Sequence, residues 1–113
     1  MKIPDPLKQQ IFVLQAQLLD LIDDAATTER ELFDIYGETR ATQSPLDTLL
    51  EIRLDTEEAH SRFSLLMSNI AKEASDATFD NMRSLRQNEL RIRENLPSSV
   101  LTIQQIRGDW RLP

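Results

Sequence analysis

The amino-acid sequence predicts an all-α protein in which long helices pack as a helical hairpin or a three-helix bundle. Only two of its 113 residues are glycine, and long helices exclude this residue while sheets and loops use it at turns. Apolar residues recur at alternating spacings of three and four, which is typical of amphipathic helices. Two proline-containing pairs, Asp5-Pro6 and Ser44-Pro45, have the composition of helix starts.

The first predicted helix covers residues 5–37. Asp5 can cap its first turn, Pro6 at the first helical position loses no needed donor, and Gly37 ends it. Nine positions of the helix form one stripe at 4-3 spacing, and eight of them are apolar, a regularity typical of coiled coils. They are Leu7, Ile11, Leu14, Leu18, Leu21, Ala25, Thr28, Leu32 and Ile35.

A second apolar stripe follows the same helix. Its members recur every seven residues, as Phe12, Leu19, Ala26 and Phe33, with Ile22 and Tyr36 between the two stripes. Together the stripes span roughly 160° of the circumference at 100° per residue. Because one neighbouring helix cannot bury so wide a face, the first helix requires at least two neighbours.

Two further helices are predicted over residues 45–76 and 78–96. Ser44 caps the second helix and Pro45 takes its first position, after a polar connection at residues 38–43. The sequence Ser75-Asp76-Ala77-Thr78 favours a break between the two helices, since Ser, Asp and Thr favour caps.

A boundary is predicted at Leu96-Pro97, because the residue before proline resists the helical conformation. The chain then divides into a helical bundle at 1–96 and a C-terminal amphipathic arm or short helix at 97–113, which Gly108 stops. The arm either folds back on the bundle or binds a partner, and its Trp and Arg side chains are of the types most enriched in interface hot spots. The predicted partner-binding residues are Phe12, Leu19, Phe33, Tyr36, Ile103, Ile106, Arg107, Trp110 and Arg111.

Charge is distributed unevenly along the chain. The formal net charge is −6, made of −9 over residues 1–82 and +3 over residues 83–113, where all six basic residues are arginine. An acidic total argues against nucleic-acid binding. The asymmetry predicts head-to-tail association between copies, and the alternative is a solvated helix face.

Cellular location is predicted from what the sequence lacks. It has no cysteine, which excludes disulfides and thiolate chemistry. Its start has no signal-peptide pattern, and no apolar run approaches the roughly 20 residues of a membrane span. We therefore expect a cytoplasmic protein without a cofactor.

One polar group falls on the apolar stripe of the second helix. Extending the spacing of Phe63 and Met67 backwards places Arg53, Thr56 and His60 on the buried side. Such a layer could form a site, set the register between helices, mark a kink, or lie exposed on a long helix.

Glu57 and His60 have the Glu-x-x-His spacing that places two metal ligands on one helix face, and in this they resemble ferritin-like di-iron bundles. The resemblance implies a metal site shared between two copies, because the chain has a single histidine. Glu29 or Glu31 would supply the remaining ligands.

The layout of a long first helix followed by a proline-started second helix also resembles the all-helical chorismate mutases. Local similarities are Arg30-Glu31-Leu32, Gly37, Arg40 and Pro45. The resemblance implies a helical pocket for a dicarboxylate substrate, lined by Arg30, Arg40, Arg53 and Gln87. Two features depart from that family: Ile11-Phe12-Val13 replaces its early arginine, and Glu51-Ile52-Arg53 replaces its Arg-Glu pair.

The function that the sequence favours is therefore a non-enzymatic protein–protein interaction module. It would act as an adaptor, assembly chaperone or structural subunit, and it would self-associate into a homo-oligomer. The alternatives are a ferritin-like metal-binding protein with its site at a dimer interface, and a small helical enzyme resembling chorismate mutase in layout only.

Overall fold

Three long helices account for nearly all of the chain in a computed structural model that describes residues 2–72 and 77–113. Within those ranges the helices are α1 (Asp5–Tyr36), α2 (Arg40–Lys72) and α3 (Ala77–Asp109), and no strand occurs. They pack side by side in a rod of 54 × 20 × 17 Å. The all-α prediction is confirmed as a three-helix bundle. The predicted end of the second helix, at residue 76, lies outside the described residues.

The buried residues of α1 match the first predicted stripe. Eight of its nine members are the buried residues of this helix, whereas Ile35 is 55% exposed. In α2 the buried positions are spaced strictly by seven, as Thr42, Leu49, Thr56, Phe63 and Ile70. A seven-residue repeat keeps one side of a helix facing its partners over many turns, as in coiled coils.

Two apolar clusters fill the interior, one in each half of the rod. The N-terminal cluster contains Ile3, Leu7, Ile11, Leu14, Leu18, Phe63, Ile70, Met82 and Leu85. The turn-end cluster, near the connection between α1 and α2, contains Leu21, Ala25, Leu32, Leu49 and Ile103. Leu96 of α3 packs against both clusters.

The connection between α1 and α2 is shorter than predicted, because α2 begins at Arg40 and not at Pro45. The Thr42 backbone N–H donates to the Thr39 hydroxyl (3.2 Å), and the Thr39 N–H donates to the Thr42 hydroxyl (2.8 Å). Thr42 also donates to the carbonyl of Gly37 (2.9 Å). This reciprocal capping replaces the predicted cap at Ser44. Pro45 then lies in the second turn of α2, near the N-terminal end of the helix.

The predicted boundary at Leu96-Pro97 is wrong as a helix end, because α3 continues through Pro97 to Asp109. An internal proline costs about 3 kcal/mol, since it removes one hydrogen bond and clashes with the preceding turn. The residues beyond Pro97 offset this cost by packing into the turn-end cluster, where Ile103 is 3% exposed and Val100 and Ile106 are half-buried. Burying one such side chain contributes about 1.5–3 kcal/mol.

The C-terminal end of α3 also differs from the prediction that Gly108 stops the helix. Gly108 lies within α3, and Arg111 instead adopts the left-handed conformation, with φ of 51°. The Leu112 N–H donates to the carbonyl of Arg107 (2.9 Å) and the Arg111 N–H to that of Gly108 (3.2 Å). This is the Schellman motif, with arginine at the position where glycine is usual.

Candidate interaction surfaces

The polar layer of α2 forms a cross-link to α1. Thr56 is buried and donates its hydroxyl to the Ile52 carbonyl (2.6 Å), whereas Arg53 and His60 are half-buried. The Arg53 guanidinium donates to Glu29 of α1 (Nε to Oε1, 3.0 Å) and to Glu57 (Nη1 to Oε1, 3.3 Å). The hydrogen bond to Glu29, more than any other interaction, raises the pKa of Arg53 above its ordinary value. A layer of this kind fixes the position of one helix along the other.

The carboxylates predicted as metal ligands are engaged with arginines. Glu29 and Glu57 share Arg53, and Glu31 pairs with Arg107 at 2.8 Å. Among residues 2–72 and 77–113, no group of three or more His, Asp or Glu side chains is arranged to hold a metal ion. A ferritin-like site completed by a second copy stays a prediction.

The side chains that the chorismate mutase resemblance implies lie on all three helices. Arg53 is occupied by two carboxylates. Arg30, Arg40 and Gln87 are exposed to solvent. A dicarboxylate site needs several unpaired cations converging in a water-excluding pocket, and these positions supply exposed or already paired groups.

The C-terminal residues pack on the chain's own bundle, which is one of the two predicted arrangements. Arg107 donates to the Thr28 hydroxyl (2.8 Å), to Glu31 (2.8 Å) and to the carbonyl of Pro113. The Tyr36 hydroxyl donates to the carbonyl of Trp110 (2.6 Å), and their rings meet edge to face with centroids 5.0 Å apart. Of the predicted partner-binding residues, Ile103 is thus buried, Ile106 and Trp110 are half-buried, and Arg111 is exposed.

The second stripe of α1 remains on the surface and is called here the outer stripe. Phe12, Leu19 and Phe33 are 47%, 53% and 52% exposed, and Ala26 is half-buried. Tyr36 is 41% exposed and lies beyond the C-terminal end of this stripe. Beside the outer stripe, the Arg53 guanidinium already forms ion pairs with Glu29 and Glu57. Partner binding by Phe12, Leu19 and Phe33 of the outer stripe stays a prediction.

A second exposed surface runs along the groove between α1 and α3 and is called here the α1–α3 face. Its apolar members are Val13, Phe79 and Leu90, which are 60%, 60% and 47% exposed. One hollow of about 540 Å³ brings Val13 of α1 beside Glu89 and Arg93 of α3. The neighbouring hollow toward the N-terminus holds Lys2, Pro4, Phe79, Met82, Arg83 and Arg86.

The far end of the α1–α3 face is acidic. There a hollow of about 390 Å³ is lined by Asp23, Asp24 and Thr27 of α1, with Val100, Ile103, Gln104 and Arg107 of α3. Asp20, one turn earlier, is exposed as well. The face thus changes from basic to acidic along its length, with apolar Val13 and Leu90 between the two ends.

Sequence periodicity does not reveal the α1–α3 face, because Val13 and Leu90 lie outside the buried stripes of their helices. The available signal is charge: the basic excess of α3 and the acidic excess of α1 are both visible in the sequence. Their placement on one face depends on which helices are neighbours.

No family model, curated protein or solved structure matches the chain. None of the helices in the described ranges is long and apolar enough to cross a membrane.

Proposed function

We propose that this protein is a helical interaction module that associates with a second copy of itself. One observation carries the proposal: a single exposed face holds unpaired arginines at one end, unpaired aspartates at the other and apolar side chains between them. Such a face is complementary to another copy of itself.

The interior of the bundle needs no partner. In the described part of the chain, every buried side-chain nitrogen and oxygen has a hydrogen-bond partner. Val13, Phe79 and Leu90 are exposed and lie outside both apolar clusters. Contiguous apolar patches on a small protein mark interaction sites more often than scattered apolar residues do.

The charges on the α1–α3 face are available for a partner. Among the described side chains of residues 2–72 and 79–113, Arg83 and Arg86 make no ion pair, and Asp20, Asp23 and Asp24 make none either. By contrast, Arg53, Arg62, Arg93 and Arg107 each pair with a carboxylate of their own chain. Complementary exposed charges steer association and select the orientation of the partner.

Sedimentation equilibrium over a range of protein concentrations tests self-association directly. We expect reversible dimers of the 13.0 kDa chain at low ionic strength, and a shift toward monomer as salt is added. The salt effect follows from screening, since the Debye length falls from about 30 Å at 0.01 M to about 8 Å at 0.15 M. A monomer at every concentration and at every ionic strength would overturn the proposal.

A further inference from the structure

We infer that the second copy binds antiparallel through the α1–α3 face, about a two-fold axis that passes near Val13 and Leu90. This inference rests on the proposed self-association and specifies its geometry. It places the basic end of each copy against the acidic end of the other.

The first step is that Val13 and Leu90 lie at the same level of the rod. Arg107 of α3 contacts Thr28 and Glu31 of α1, so residues about 76 positions apart in sequence are neighbours. The hollow at Val13 is also lined by Glu89 and Arg93, on either side of Leu90 in sequence. α1 and α3 therefore run parallel, with Val13 and Leu90 at the same level.

The second step is that the opposite charges lie at equal distances from this centre. Asp20 follows Val13 by seven residues, and Arg83 precedes Leu90 by seven. Seven residues are about two helical turns, or roughly 10.5 Å along the axis, so each charge stays on the same side of its helix as the apolar residue. A two-fold rotation about an axis that crosses both helices at this centre therefore brings Arg83 of one copy to the level of Asp20 on the neighbouring helix of the other. The contact is isologous and closed, which is the commonest arrangement in homodimers.

The same rotation places the ends of the face against each other. Phe79 precedes Leu90 by eleven residues, and Asp24 follows Val13 by eleven. Phe79 of one copy is thus carried to the level of the hollow that Asp24, Thr27 and Val100 line in the other. A parallel arrangement would instead set Arg83 and Arg86 at the same level as the same arginines of the partner, which repel.

The size of the contact predicts a reversible dimer. From Phe79 to the level of Asp24 the face extends for about 22 residues, or roughly 33 Å, and the rod is 20 Å wide. The footprint is then on the order of 650 Å² per copy, somewhat below the roughly 800 Å² of a standard stable interface. We therefore expect a dimer that dissociates on dilution and in high salt.

Single-cysteine variants locate the interface, since the chain has no cysteine of its own. Val13→Cys lies near the axis, and Leu19→Cys is a matched control on the outer stripe with similar exposure. After sedimentation of the wild-type chain, each variant is treated with a short bismaleimide at low salt and again at high salt. We expect covalent dimers from Val13→Cys at low salt only, and none from Leu19→Cys.

The outcomes separate the two proposals. If the wild-type chain is a monomer throughout, self-association itself fails. If it forms dimers but Leu19→Cys cross-links, or Val13→Cys does not, self-association stands and the antiparallel α1–α3 geometry is overturned.

Discussion

The two halves of the rod are held together by different kinds of interaction. Around the N-terminal cluster the helices meet mainly through apolar side chains such as Ile11, Phe63 and Leu85. Its buried acid, Glu89, pairs with Arg93 of the same helix at 2.9 Å. Around the turn-end cluster, polar groups bond across helices, through Arg53, Arg107 and Tyr36.

This difference separates the sources of stability and of register. Apolar burial is strong but has no preferred direction, whereas charge-assisted hydrogen bonds require a fixed geometry. We interpret the N-terminal half of the rod as the main source of its free energy of unfolding. The half near the connection between α1 and α2 fixes how the helices align. That alignment places the arginines and aspartates of the α1–α3 face at matching distances from its centre.

The largest expected effect comes from the N-terminal cluster. Phe63→Ala removes a fully buried ring and leaves a cavity, so we expect a loss of about 3–5 kcal/mol in the free energy of unfolding. Urea denaturation followed by circular dichroism measures this loss at a fixed protein concentration. A loss below that of a polar substitution at the turn end would contradict the division between the halves.

A smaller effect is expected at the turn end. Arg107→Met keeps most of the side-chain volume but removes the bonds to Thr28 and Glu31, at a cost of about 1–3 kcal/mol. The matched control is Arg30→Met, which replaces an exposed arginine of α1 and should change stability by less than about 0.5 kcal/mol. Equal effects of the two substitutions in urea denaturation would show that the Arg107 bonds do not stabilise this half.

The last comparison is between the two glycines, and it contains the smallest expected effect. Gly37 has φ of 74° and ψ of −178°, a conformation almost restricted to glycine, so Gly37→Ala should destabilise the protein by about 1–3 kcal/mol. Gly108→Ala should instead stabilise it by about 0.5–1 kcal/mol, because Gly108 lies inside α3. An added Cβ meets no atom within 4 Å at either position, so backbone conformation alone sets the sign. Thermal unfolding of both variants should show shifts of opposite sign, and shifts of the same sign would refute this explanation.

Periodic features of the fold could be predicted from the sequence because they repeat along the chain. The 4-3 spacing of α1 gives its buried residues from Leu7 to Leu32, and Ile35 differs because it lies in the last turn. Its second stripe was expected to meet further neighbours, yet Phe12, Leu19 and Phe33 stay exposed. Periodicity reports which side chains are apolar but not how many helices surround them.

Helix ends were less predictable because competing local caps and tertiary contacts decide them. Pro45 and Pro97 both predict a helix boundary, but each lies inside a helix. The capping by Thr39 and Thr42 starts α2 earlier, and the burial of Ile103 holds α3 together beyond Pro97. The Thr39–Thr42 cap is a local signal that competes with Ser44-Pro45, whereas the effect of Ile103 is visible only once its neighbours are known.

For the same reason, some of the predicted partner-binding residues pack on the chain's own bundle and others stay exposed. The hydrophobic and tryptophan residues of 97–113 suit an interface and a core equally well, and Ile103 and Trp110 pack on their own bundle. The α1–α3 face joins residues that are far apart in sequence, so the alignment of α1 with α3 had to be known before Asp20 and Arg83 could be compared.

The central claim, an antiparallel dimer through complementary charges, is tested most directly by mixing two charge-reversed chains. One chain carries Arg83→Asp and Arg86→Asp, and the other carries Asp20→Arg and Asp24→Arg. Each chain alone presents like charges across the two-fold axis, whereas a mixed pair presents opposite charges at both ends. In sedimentation velocity at low salt we expect each chain alone to be monomeric and the equimolar mixture to form dimers. A mixture that sediments as the sum of its separate components would contradict the claim.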